Sequence, residues 1–250
     1  MQNKILFDNY YLGENVSYKE LSDRGISELF NTLTHKYCVQ KAALETGLFN
    51  DDEINILVDY CMEPDMVDTG PDRHWKHFYD VSSGFGGAPS MAEKKYMEAV
   101  NNKDLRALSN SSHYVADAGC LFHTTLRGQN LHIPYEEWID ENIDKITHYI
   151  QSIYDYDYDN IKKLAIELAI RTYDRYDIIV DNFINNNHTE LSIETADNLS
   201  DVISSMKNLF ENYYYDVENG VTYDVPFVPS LEMLLFLPFA LCVPLIVTNS

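Results

Sequence analysis

One stretch, residues 111–140 (SSHYVADAGCLFHTTLRGQNLHIPYEEWID), carries five potential metal ligands within 24 positions: His113, Asp117, His123, His132 and Glu136. The first two lie four positions apart, and so do the last two. On a helix, this spacing places both side chains of a pair on one face, one turn apart. Imidazole nitrogens and carboxylate oxygens from two helices form a ligand set that suits zinc. One such pair is common on helix surfaces, but two pairs with a histidine between them predict a metal site.

Most of the chain has apolar residues at helical spacing, and no stretch alternates with period two, so we expect an all-α fold. The spacing predicts helices over 18–45, 51–61, 92–100, 105–116, 134–153, 160–183 and 193–213. Gly47 is a plausible stop for the first helix, and Gly119 allows a bend before His123. Glu63-Pro64 is expected to end the second helix, because a residue before proline avoids the helical region. Residues 65–89 read as a loop.

The chain shows no internal repeat, which predicts a single multi-helix domain over 18–216, preceded by an irregular arm (1–17). Residues 217–250 read as an acidic linker and an apolar tail. Residues 233–247 (MLLFLPFALCVPLIV) are fifteen apolar residues, somewhat fewer than the roughly 20 of a membrane-spanning helix. The tail is interpreted as a membrane anchor, with a buried core segment as the alternative. No secretory signal is recognisable at the amino end, so we expect a membrane-associated or cytoplasmic protein.

The charge is strongly negative, with 40 acidic and 18 basic residues and a net charge of -22. Such a surface repels a phosphate backbone, which disfavours extended nucleic acid as a partner. Four cysteines are scattered without a C-x-x-C pair: Cys38, Cys61, Cys120 and Cys242. We expect each of them to be a buried free thiol.

Four blocks, in this order, resemble the zinc-dependent phospholipase C family, whose fold is shared by the single-strand-specific zinc nucleases. The first block is T-H-x-x-x-V-x-x-A at residues 34–42. The second is P-D at 64–65, followed by H-F-Y-D at 77–80. The third is H-Y-x-x-D-x-x-x-x-x-H at 113–123, and the fourth is H-x-x-Y-E-x-[FW]-[VI]-D at 132–140. The match covers roughly residues 30–215, and its third and fourth blocks are specific.

The resemblance implies a cluster of up to three zinc ions on one wall of the helical domain, two of them with complete ligand sets from this sequence. For the first zinc it implies the ligands Asp65, His77, His113 and Asp117. For the second it implies His123, His132 and Glu136. Asp117 would also bridge to the third zinc, together with His35. Family enzymes complete that third site with the amine of a processed N-terminal tryptophan, whereas 34 residues without a tryptophan precede His35 here.

The resemblance also implies a reaction in which zinc-activated water attacks a phosphodiester, with Asp65 orienting or deprotonating that water. Two positions depart from the family pattern: Met66 replaces the aromatic residue of choline-binding members, and Cys120-Leu121 replaces a Q-P pair. The expected function is phospholipase C-type cleavage of a phospholipid substrate. The alternatives are a nuclease or nucleotidase of the same fold, and a non-catalytic, metal-stabilised module attached to a membrane.

Overall fold

The computed structural model describes residues 32–70 and 72–225. Its α-helices are α1 (Thr32–Thr46), α2 (Asp51–Tyr60), α3 (Glu63–Val67), α4 (Arg73–Lys76), α5 (Ala88–Asn102), α6 (Leu105–Ala118), α7 (His132–Ile146), α8 (Ile161–Asp174), α9 (Tyr176–Ile184) and α10 (His188–Glu218). Short 3-10 turns cover Leu121–His123, Gln129–Leu131 and Thr147–Tyr149. Two-residue strands, β1 (Tyr79–Asp80) and β2 (Phe85–Gly86), pair antiparallel. The expectation of an all-α fold is confirmed.

The longest described helix, α10, contacts most of the others and forms the centre of the core. Its 31 residues span about 46 Å, and it contacts α1 and α5 through α9. Leu199, Ile203, Met206 and Phe210 are completely buried along it. These residues recur at helical spacing and form one apolar face, against which the surrounding helices pack in a single core cluster.

Helix α6 carries two predicted ligands and is buried along most of its length. Two of its serine side chains donate to backbone carbonyls of neighbouring helices. The Ser109 hydroxyl donates to the Leu57 carbonyl of α2, and the Ser111 hydroxyl donates to the Ala92 carbonyl of α5 at 2.7 Å. Because buried polar groups need such partners, these bonds fix both the rotation and the depth of α6.

The amino end of α1 is tied to α7 by one carboxylate. Asp140 accepts hydrogen bonds from the backbone N–H of Leu33 and Thr34, at 3.3 and 3.2 Å, and from the Thr34 hydroxyl at 2.6 Å. The first-turn amides of a helix have no partner within the helix, so a carboxylate there satisfies donors that would otherwise lack one. The contact fixes the amino end of α1, which carries His35, against α7.

Several predicted helix boundaries were wrong. Residue 63 begins α3 instead of ending a helix, because Pro64 occupies the first turn, where its missing N–H costs nothing. The single helix predicted over 160–183 is two helices that meet at Arg175. The helix predicted to reach residue 153 ends at Ile146. Within the predicted loop 65–89, the structure has α4 and the β-hairpin.

The last predicted helix is longer than expected, since α10 runs from His188 to Glu218 and passes the predicted domain boundary at residue 216. The arm (1–17) and the apolar tail (233–247) lie outside the described residues. Among the helices of the described part, none is both long and apolar enough to cross a membrane.

Gly119 ends α6 and packs too closely against its neighbours to accept a side chain. A Cβ atom at this position would lie 2.4 Å from Val202 Cγ2 and 3.2 Å from Leu168 Cδ2. The helix ends at Ala118 and a 3-10 turn begins at Leu121, so the chain does break before His123 as predicted. Close packing against α8 and α10 gives a second reason for a glycine at this position.

We expect Gly119→Ala to lower the free energy of unfolding by about 1–3 kcal/mol, the usual cost of overpacking a core. Chemical denaturation measures this change. Because Val202→Ala removes the clashing methyl group, the double variant should lose less stability than the two single losses predict together. Strict additivity of the two losses would contradict this packing account.

Candidate metal centre

The structure brings all eight predicted ligands into one buried cluster. They come from α1, α3, the residue after α4, α6, the following 3-10 turn and α7: His35, Asp65, His77, His113, Asp117, His123, His132 and Glu136. Seven of these side chains are 5% exposed or less, and Asp65 is 12% exposed. Among the proposed ligands, Asp65 is therefore the one with most access to solvent.

The first group consists of Asp65, His77 and His113, whose ligand atoms all lie within 4.8 Å of one another. Asp65 Oδ1 is 3.7 Å from His77 Nδ1 and 3.6 Å from His113 Nε2. Asp117 Oδ2 approaches the same two nitrogens, at 2.7 and 3.3 Å. Two imidazoles and two carboxylates thus face a common point.

Hydrogen bonds behind the first group orient both imidazoles. His113 Nδ1 donates to the Cys61 carbonyl at 2.8 Å, so Nε2 can present its lone pair to a metal when the ring is neutral. His77 Nε2 lies 3.2 Å from Asp68 Oδ2, which leaves Nδ1 facing the group. Asp68 also accepts hydrogen bonds from Tyr114 at 2.6 Å and Lys76 at 2.8 Å. A carboxylate behind a ligating histidine is typical of metal sites.

The second group adds one residue to the predicted set, with Cys120, His123, His132 and Glu136 all within 4.8 Å at their ligand atoms. His123 Nε2 and His132 Nε2 are 3.1 Å apart. Glu136 Oε1 lies 2.6 Å from His132 Nε2 and 3.1 Å from Cys120 Sγ. Zinc bonds of about 2.0–2.3 Å place tetrahedral ligands roughly 3.3–3.6 Å apart, close to these separations.

Asp117 connects the two groups. Its Oδ2 belongs to the first group, while Oδ1 lies 3.3 Å from His123 Nδ1 and 3.9 Å from His35 Nε2. The His35 ring stacks on the His113 ring, with centroids 4.6 Å apart. His35 therefore lies next to Asp117, the residue with which the resemblance pairs it at a third zinc.

The electrostatics of the cluster favour cations. Burial opposes a charged imidazole at His113, but the Asp117 and Asp65 carboxylates outweigh it and raise its pKa to about 10. Burial, together with neighbouring His113, lowers the pKa of His35 to about 3. Burial would raise the pKa of Asp117, but the His113 and His77 charges hold it well below its usual range. In the metal-free protein, the negative charge of Asp117 is therefore balanced by protonated imidazoles.

The donor atoms fit a metal better than they fit hydrogen bonds alone. Within the described residues, Asp65 Oδ1 and Asp117 Oδ1 are buried without a well-aligned hydrogen bond, and imidazole nitrogens lie 3.6 and 3.3 Å from them. Two pairs of imidazole nitrogens face each other at 3.1 Å: His77 with His113, and His123 with His132. Such pairs repel unless a proton or a cation lies between them, and burying unbalanced carboxylates costs several kcal/mol each. The groups can hold metal ions, and their nitrogen, oxygen and sulfur donors suit zinc.

Three residues near the cluster were missed or set aside by sequence reasoning. Cys120 was expected to be only a buried thiol; it is buried, like Cys38 and Cys61, but it faces Glu136. Asp68 supports His77 from α3's carboxyl end. Burial lowers the pKa of half-buried His74 to about 4, and the charges of Arg73 and His123 lower it further. The C-x-x-H spacing of Cys120 and His123 was the one available signal.

No family model matches the chain, and none of the curated proteins matches it.

Removing metal should destabilise the protein. A metal held at a thousandfold excess over its Kd adds about 4 kcal/mol to the stability of the native state. In a domain of this size, each kcal/mol changes the Tm by about 2–4 °C. We therefore expect a strong chelator to lower the Tm by about 10 °C, as measured by circular dichroism.

Two neighbouring glutamates allow a matched test of whether the cluster binds metal. Glu136→Gln changes a buried group of the cluster, whereas Glu137→Gln makes the same change at an exposed position on α7. Elemental analysis should find less metal in the first variant alone. Equal metal content in both variants, together with an unchanged Tm on chelation, would contradict the metal centre.

Proposed function

We propose that this protein is a zinc-dependent phosphodiester hydrolase that cleaves phospholipid headgroups in the manner of a phospholipase C. The observation that carries the proposal is the pair of adjacent, buried imidazole–carboxylate groups joined by Asp117. Neighbouring metal sites are a common arrangement in enzymes that act on phosphate esters. The sequence resemblance supports the same reaction class.

Bound zinc ions would supply Lewis acidity and lower the pKa of a water molecule towards neutrality. The residues of the chain would provide the framework for this chemistry. His77 and His113 are held in fixed orientations by Asp68 and the Cys61 carbonyl, so the ligand positions need no rearrangement when substrate binds. This fixed arrangement meets one requirement of a catalytic metal site, a preorganised set of ligands.

Asp65 is the residue we assign to proton transfer. Its Oδ1 has no well-aligned hydrogen bond among the described residues, and its side chain is the most exposed of the proposed ligands. A carboxylate at the open edge of the cluster can orient an attacking water and accept its proton. The short helix α3 presents it there, beside the exposed side chains of Met66 and Val67.

The surroundings favour a lipid over a nucleic acid. Met66 and Val67 are 71% and 59% exposed, next in the chain to Asp65. Exposed apolar side chains beside a phosphodiester site suit the acyl chains of a lipid. The net charge of -22 opposes binding of an extended polyanion. The predicted apolar tail would keep the site near a membrane.

The test compares two substrates. The full chain, purified in detergent and supplied with zinc, is assayed on phosphatidylcholine micelles and on single-stranded DNA, with a chelated sample as control. We expect chelator-sensitive release of diacylglycerol and no nucleotide release. Release of nucleotides instead would assign the protein to the nuclease alternative. Zinc binding with no cleavage of either substrate would contradict the proposal and favour the non-catalytic module.

We expect Asp65→Asn to lower kcat by about 100-fold or more, because general-base catalysis typically contributes 10²–10⁴-fold. Asp59→Asn makes the same change at an exposed position of α2 and should leave kcat unchanged. Elemental analysis of both variants separates loss of the base from loss of metal. A fully active Asp65→Asn enzyme would exclude this role for Asp65.

A further inference from the structure

We propose that Cys120 is a thiolate ligand of the second metal, which is thereby held in a closed site of four protein side chains. The inference shares with the proposed function the premise that the cluster binds metal, but it does not require phosphodiester hydrolysis. The sequence resemblance gives this metal three ligands, His123, His132 and Glu136. The structure places a fourth donor atom among them.

The four side chains come from two rigid segments. Cys120 directly precedes the 3-10 turn Leu121–His123, and the His123 N–H donates to the Cys120 carbonyl at 3.0 Å. Residues three apart in such a turn lie on the same side. His132 and Glu136 are four apart on α7 and share one face. A C-x-x-H turn therefore meets an H-x-x-x-E helix, and each contributes two donors.

A hydrogen bond between a buried thiol and a carboxylate does not account for the whole arrangement. Glu136 Oε1 lies within 4.0 Å of three other donor atoms: Cys120 Sγ, His132 Nε2 and His123 Nε2. The two imidazole nitrogens also face each other at 3.1 Å, where at most one proton can lie between them. A cation at the centre would be attractive to all four atoms at once.

Coordination by four protein side chains has a chemical consequence. Structural zinc sites are filled by four protein ligands, whereas catalytic ones keep a position open for water or substrate. The four residues of the second group are 5% exposed or less, so the protein itself surrounds this metal. The first group also offers four side chains, but Asp65 is partly exposed there, so water can reach that metal as a fifth ligand. A thiolate also favours zinc over hard cations such as magnesium.

Cobalt substitution tests the proposed ligand directly. The full chain is stripped of metal and loaded with Co²⁺ alone, and its absorption spectrum is recorded. We expect a thiolate-to-cobalt charge-transfer band in the near ultraviolet. Cys120→Ser should abolish the band and weaken binding of one metal equivalent at least tenfold, while Cys38→Ser and Cys242→Ser retain both. A missing band in the unmodified protein, or a band that survives Cys120→Ser, would overturn the proposal.

Two further measurements complete the test. If Cys120→Ser fails to fold, zinc X-ray absorption of the unmodified chain should still detect sulfur in the coordination shell, and its absence would refute the thiolate. Azide added to the cobalt protein should leave the charge-transfer band unshifted, since a closed site has no position for it; a shifted band would refute closure.

The inference and the proposed function can fail separately. A charge-transfer band without lipid cleavage would support Cys120 as a ligand and reject the proposed function. Lipid cleavage without a charge-transfer band would support the proposed function and reject Cys120 as a ligand.

Discussion

The buried carboxylate of Asp117 is the interaction on which the rest of the site depends. It is fully buried, it contacts His77 and His113 with one oxygen, and it faces His123 and His35 with the other. A charge in that position is tolerated only when cations or imidazolium protons balance it. Asp117 therefore makes the two groups a single electrostatic unit.

The surrounding fold keeps that unit rigid. Polar bonds from α6 to its neighbours fix the helix that carries His113 and Asp117, and Asp140 fixes the amino end of α1 beside α7. Gly119, which is closely packed, ends α6 just before the turn that carries His123. Each of these contacts lies outside the ligand set, but each determines where a ligand atom sits. In a cluster with ligand atoms roughly 3 Å apart, small shifts would separate the donors.

The helical class and the ligand pairs were predictable because both depend on local spacing. The i,i+4 pairs on α6 and α7 follow directly from helix geometry. Other features depend on tertiary contacts and were missed. The break at Arg175 coincides with its ion pair to buried Asp201 on α10. Cys120 meets Glu136 across 16 positions of the chain. Pro64 was misread because proline both ends helices and begins them.

The central claim is that the cluster holds two metal ions, one in each group. Anomalous diffraction from crystals of the zinc-loaded protein, collected on both sides of the zinc absorption edge, tests this most directly. The account predicts one peak among Asp65, His77, His113 and Asp117, and a second among Cys120, His123, His132 and Glu136. If the side chains are well ordered but one or both groups lack an anomalous peak, the claim is contradicted.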